Sequence, residues 1–167
     1  YDIAKATNQK IADKNTAGIL AGGMISKSGR INFSADDSRV YFGTTTGYKN
    51  YEYESDTAIL DDERVSLDIW GWQDAEIQPM QLKNKNREEN RSFLAAYNIK
   101  DKKVIQIGDE QVYSINYDPK LKLKIGLATD DSPYRREYSW NTQIGRDTYL
   151  VNLETGSNQN SKRSGKC

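Results

Sequence analysis

The sequence predicts an all-β chain, and three observations carry that prediction. Short segments alternate between apolar and polar residues at the two-residue period of a strand, as in Leu121-Lys122-Leu123-Lys124-Ile125-Gly126-Leu127. The 167 residues include eleven Tyr, three Trp and three Phe but only three Pro. That mix gives large buriable surfaces to a chain whose mean hydropathy is only −0.86, and it opposes disorder. Finally, two strand–turn–strand patterns recur along the chain.

Taken in order, Arg30-Ile31-Asn32-Phe33-Ser34 is short and alternating, and Ala35-Asp36-Asp37-Ser38 is rich in turn formers. Arg39-Val40-Tyr41-Phe42-Gly43-Thr44 then carries strand-favouring residues, so the unit reads as a hairpin. A long insertion follows, from about residue 45 to 90. It is read as a strand at Val65-Ser66-Leu67-Asp68-Ile69-Trp70, then a short polar helix within residues 77–91. Phe93 to Ile99 leads through Lys100-Asp101-Lys102-Lys103 into Val104-Ile105-Gln106-Ile107, a second kind of hairpin. Ser114-Ile115-Asn116-Tyr117, the turn dipeptide Asp118-Pro119 and the alternating 121–127 stretch repeat the first kind.

Ile31-Asn32-Phe33 and Ile115-Asn116-Tyr117 hold the same place in their units, and Gly43 and Gly126 close the second strands. Tyr1-Asp2-Ile3, Tyr97-Asn98-Ile99 and Val151-Asn152-Leu153 form another repeated element, each followed by a polar stretch. Four-stranded antiparallel units in series are the pattern of β-propeller blades, commonly ~40–50 residues each. The expectation is a partial β-propeller of about two four-stranded blades plus remnants. Residues 1–29 would end a preceding blade, 30–108 form a blade swollen by the insertion, 109–156 form an incomplete blade, and 157–167 make a polar tail. Two blades cannot close a ring, so self-association through open blade edges or completion by further sequence is expected.

Composition excludes whole classes of chemistry. There is no histidine, so no Ser-His-Asp or Cys-His nucleophilic device and no His-ligated zinc site can be assembled from this chain. The single cysteine, Cys167, allows no internal disulfide. Lys plus Arg and Asp plus Glu both number 24, which gives no electrostatic reason to expect nucleic acid or an anionic membrane. The longest run of apolar residues and glycine, 18–25, is far short of the ~20 residues of a membrane span. No cofactor or metal is expected.

The stretch from Arg30 to Gly43 resembles the start of a blade in bacterial prolyl oligopeptidase family peptidases. Val65 to Trp72, followed by Ile77-Gln78-Pro79-Met80-Gln81 and Asn90-Arg91-Ser92, is similar to a longer signature in the propeller of dipeptidyl-peptidase-like members. Asp131-Ser132-Pro133-Tyr134-Arg135-Arg136-Glu137-Tyr138-Ser139-Trp140 resembles the loop of their next blade. The resemblance spans roughly residues 30–156. It implies an accessory propeller beside an α/β-hydrolase domain of the same parent chain, acting on peptide substrates in a periplasmic or secreted protein. This chain contains no Gly-x-Ser-x-Gly elbow, so it is expected to be non-catalytic.

Trp70 and Trp72 would share one face of a strand, where they would stack on a ligand or pack between blades. Glu88 and Glu89 draw interest through the resemblance, because dipeptidyl-peptidase relatives hold the substrate's free amino group with a glutamate pair. Two carboxylates suit an ammonium with three donors. The competing reading of Arg87-Glu88-Glu89-Asn90-Arg91 is a solvated helix face. Asp13 to Gly18 departs from a calcium loop at Ala17 and Met24 and is rejected. Asp61, Asp62 and Glu63 read as a solvated turn rather than a glycosidase pair, and Asn32 and Asn90 only match a short glycosylation pattern. The expected role is a non-catalytic propeller segment that covers a hydrolase active site and restricts or anchors peptides. The alternative is a stand-alone binding module for a peptide, glycan or protein.

Overall fold

The structure, a computed structural model, describes residues 8, 10–47, 71, 73–143 and 145–161. Two antiparallel sheets form its framework. The first contains β1 (Met24–Ile25), β2 (Asn32–Phe33), β3 (Arg39–Thr45), β4 (Phe93–Asn98) and β5 (Lys103–Gln106). β1 and β2 lie along the same side of β3, pairing with Thr44–Thr45 and Val40–Tyr41 respectively, so together they act as one broken strand. The second sheet is a four-stranded meander of β6 (Ser114–Asn116), β7 (Ile125–Asp130), β8 (Asp147–Asn152) and β9 (Asn158–Ser161). Between β3 and β4 lies helix α1 (Gln78–Glu89), and between β7 and β8 a 3₁₀ helix (Ser132–Ser139).

The two sheets follow one plan. Asn98 and Asn152 each end a third strand and accept hydrogen bonds from the backbone N–H groups two and three residues on, at 3.0–3.2 Å and 2.8–3.3 Å. This local bonding bends the chain into the next strand. Four residues past each asparagine stands a residue with positive φ, Lys102 at 54° and Gly156 at 71°. Asn32 lies opposite Tyr41 and Asn116 opposite Leu127, so the predicted equivalence of the first strands holds in register. The equivalence of the two glycines does not. Arg39 pairs with Asn98 and Ile125 with Asn152, which places Gly126 at the position of Val40, not Gly43.

Two further expectations are corrected. The alternating run 121–127 is strand only from Ile125. Its buried residues are Gly126, Ala128 and Asp130, while Leu121, Leu123, Ile125 and Leu127 are exposed. A period of two fixes that a strand has two faces, but neighbouring sheets decide which face is buried. The second unit is also complete, because Asn158–Ser161 of the supposed polar tail pairs with β8 as a fourth strand. Its polarity misled, since backbone bonding needs no apolar side chain.

Alternation in the first sheet divides its side chains between two clusters. Tyr41, Ala96 and Ile107 pack with Val112, Ala128, Val151 and Leu153, joining one face of the first sheet to one face of the second. Val40, Phe42, Ala95, Tyr97 and Val104 fill the opposite face, against Ala12 and Ile19 of the N-terminal segment. Arg39 of β3 reaches Glu154 of the second sheet's last turn at 2.6 Å and clamps the pair from the rim. The Arg39 hydrogen bond is the main cause holding the Glu154 carboxyl below its ordinary value.

Two glycines cover the first sheet's outer edge. Ile107 N–H donates to Leu94 O, so alternation along β5 turns the carbonyls of Val104 and Gln106 away from β4. A Cβ on Gly18 would stand 2.1 Å from Val104 O, and one on Gly156 2.2 Å from Gln106 O. Only residues without a side chain can approach these edge carbonyls so closely.

Leu153 and Ile99 follow the repeated asparagines at equivalent positions, yet Leu153 is 2% exposed and Ile99 42%. Leu153→Ala is expected to cost about 2–5 kcal/mol. Ile99→Ala is expected to cost about 1 kcal/mol or less. Urea unfolding of the two variants would measure both, and equal losses would contradict the packing described.

Candidate functional site

The connections between second and third strands leave both sheets on the same side and meet there. At that exit each sheet buries a polar residue, Thr44 in the first and Asp130 in the equivalent position of the second. Thr44 Oγ1 accepts from Gln106 Nε2 at 2.8 Å, and Gln106 Nε2 also reaches Gly108 O at 2.7 Å. Asp130 Oδ1 accepts from the Ser132 N–H at 2.9 Å and its hydroxyl at 2.6 Å, which starts the 3₁₀ helix. Among the described residues no buried side-chain nitrogen or oxygen lacks a partner, as a stable interior requires.

Helix α1 begins at Gln78 with Pro79 in its first turn, where a missing N–H costs nothing. It buries none of its residues, so its position is set by its ends. At the C-terminal end Glu88 forms ion pairs with Arg91 and, at 3.7 Å, with Arg87. The Arg91 guanidinium lies 4.4 Å from the centre of the Tyr113 ring, a cation–π contact. Arg135 approaches the same ring at 5.9 Å and donates to the Tyr113 hydroxyl at 3.2 Å. Asp131 completes the chain of contacts, accepting from Arg135 Nε at 3.1 Å and from the Tyr138 hydroxyl at 3.1 Å. Arg136 also ties the 3₁₀ helix to the long insertion by donating to Gln73 O at 2.6 Å.

Burial pushes the Asp131 carboxyl up, but the hydrogen bond and charge of Arg135 and the Tyr138 hydroxyl outweigh it and hold the group below its ordinary value. Arg135 is raised in turn, burial being outweighed by Asp131. Tyr138 is raised by burial and by its bond to Asp131.

Beside this network a pocket of about 320 Å³ is lined by Thr45, Thr46, Gly47, Glu88, Arg91, Phe93 and Glu110. It joins Glu88 to a second carboxylate, but a different one from that expected. Glu89 pairs with Lys85 at 3.8 Å along the helix and does not line the pocket. Adjacent residues on a helix diverge by about 100°, so Glu88 and Glu89 do not share a face. Glu110, from the link between the sheets, was invisible to a reading based on sequence neighbours; Thr46 Oγ1 bonds it at 3.4 Å. Asp131 and Arg135 did carry a signal, an acid four residues before a base. Trp70 and Trp72 lie outside the described residues, as do Asp61, Asp62 and Glu63.

Among the described residues, no group of three or more His, Cys, Asp or Glu is placed to hold a metal ion, and no helix is long and apolar enough to cross a membrane. No family model matches the chain, and no curated protein or solved structure matches it either.

Because Asp131 titrates below its ordinary value when folded, its contribution is complete above the unfolded-chain value of about 3.9 and fades as the pH falls through the lower folded value. Asp131→Asn is therefore expected to lower stability by about 1–3 kcal/mol at pH 7. The gap from the parent chain should close as the pH is lowered below about 4. Urea midpoints at pH 7, 4 and 2.5 would test this, and a gap independent of pH would contradict it.

Proposed function

We propose that this chain is a non-catalytic stretch of β-propeller from a prolyl-oligopeptidase-type serine peptidase, one that covers a hydrolase active site and restricts or anchors peptide substrates. The observation that carries the scaffold part is the sense in which the sheets stack. The Tyr41/Ala96 face of the first sheet meets the Ala128/Val151 face of the second. By register, Leu127 and Leu150 occupy in the second sheet the places of Tyr41 and Ala96 in the first. The contact is therefore head to tail, and such contacts repeat until they close a ring or extend without limit.

The outer face of the second sheet is built to continue. Ile125, Leu127 and Leu150 are 55%, 46% and 44% exposed and lie side by side, Leu127 directly opposite Leu150. Apolar residues grouped on one sheet face favour another partner layer over water. The peptidase part rests on the resemblance of residues 30–156, and the anchoring part on the pocket that joins Glu88 with Glu110. Arg91 lines the same pocket and pairs with Glu88, so Glu110 is the carboxylate offered to a substrate's free ammonium group, and catalytic benefit would come through positioning and access.

Two outcomes are expected. The 167-residue chain should self-associate through its open sheet face, and L127S/L150S should shift sedimentation towards monomer; an unchanged distribution would count against the stacking. The chain should not turn over a chromogenic dipeptide, while the gene around it should encode further four-stranded repeats and a Gly-x-Ser-x-Gly hydrolase domain. Turnover by this chain, or a gene lacking both, would overturn the peptidase reading.

A further inference from the structure

A second cavity, of about 520 Å³, opens between the sheets on the side of their first strands. That size falls within the usual range of small-molecule sites, ~300–1,000 Å³. Its apolar wall comes from both sheets, with Leu94 from the first and Ile115 from the second, and the rings of Tyr113 and Tyr117 line it as well. Part of its floor is bare backbone. A Cβ on Gly43 would lie 2.6 Å from Gly29 Cα and 3.1 Å from Ser92 Cβ, so the close approach of Gly29 and Gly43 keeps side-chain bulk out of this region.

The charge of the cavity has one source. Among the described residues lining it, Arg30 is the only charged one, and no Asp or Glu accompanies it. The two other guanidinium groups near Tyr113 are already compensated, Arg91 by Glu88 and Arg135 by Asp131. Arg30 is exposed, and among the described residues it has no hydrogen-bond or ion-pair partner. Asn32 stands in the same wall as Tyr117. Burial raises Tyr117 above its ordinary value, which keeps it a neutral phenol beside the cavity.

We propose that this cavity binds a small organic carboxylate with an aromatic or aliphatic body. The apolar body would lie between the Tyr117 ring and the Leu94/Ile115 wall, and the carboxylate would meet the Arg30 fork, whose paired N–H donors match its two oxygens. The inference is independent of the peptidase reading and concerns a different cavity from the one holding Glu88.

The probe is N-acetyl-phenylalanine, with its uncharged amide as the comparison, titrated into the 167-residue chain by calorimetry and ligand-observed NMR. The acid should bind at least ~10-fold more tightly than the amide, as loss of a charge-assisted pairing implies. Arg30→Met should remove that preference, Ser28→Trp at the exposed rim should block both probes, and the surface change Lys14→Met should alter neither. Equal affinity for acid and amide, an Arg30→Met variant that binds like the parent, or no binding of the acid at millimolar concentration would each overturn the proposal.

Discussion

The structure depends on one contact, the seating of the Tyr41/Ala96 face of the first sheet on the Ala128/Val151 face of the second. A single four-stranded meander of this length cannot bury enough apolar area to be stable alone. The seam supplies that burial, and it is made of residues of unequal size. Tyr41 and Tyr117 stand with ring centres 4.9 Å apart and planes at 51°, while Ala96 and Ala128 let the backbones come together. Large side chains opposed to small ones interdigitate in a unique register, whereas a seam of uniform leucines would slide.

Seating the sheets also brings together what the strands themselves do not carry. The insertions of the two sheets leave from equivalent ends, and only the stacking makes the C-terminal end of α1 a neighbour of the 3₁₀ helix. Glu88, Arg91, Tyr113, Arg135 and Asp131 then alternate in sign around one aromatic ring. Such a half-buried polar chain is sensitive to the loss of any member, because each charge is balanced by the next. Both cavities flank this chain, with Arg91 lining one and Tyr113 the other. The two cavities share no lining residue, and the Arg91–Tyr113 contact is what connects them.

How much of this the sequence disclosed follows from the range of each interaction. The repeated element at Asn98 and Asn152, the first-strand repeat and the polar helix of the insertion are local, and residue order alone discloses them; the Asx bonding at the two asparagines is a feature of the fold. The inward face of β7 is not legible from its alternation, because the choice between Leu127 and Gly126 depends on a neighbouring sheet distant in sequence. Glu110 was missed for the same reason, being joined to Glu88 only through folding. The adjacent pair Glu88/Glu89 illustrates the reverse error, since neighbours in sequence point apart on a helix.

The glycine-covered rim of β5 sets a direction for whatever this unit assembles into. Strand addition along that rim would require an incoming backbone to occupy the space already taken by Gly18 and Gly156, facing carbonyls that no longer point into open solvent. The exposed leucines of the second sheet impose no such obstacle in the perpendicular direction. At this rim strand-beside-strand pairing is therefore opposed, and the same two glycines that look like details of loop geometry keep β5 from the edge-to-edge pairing that leads to cross-β fibres.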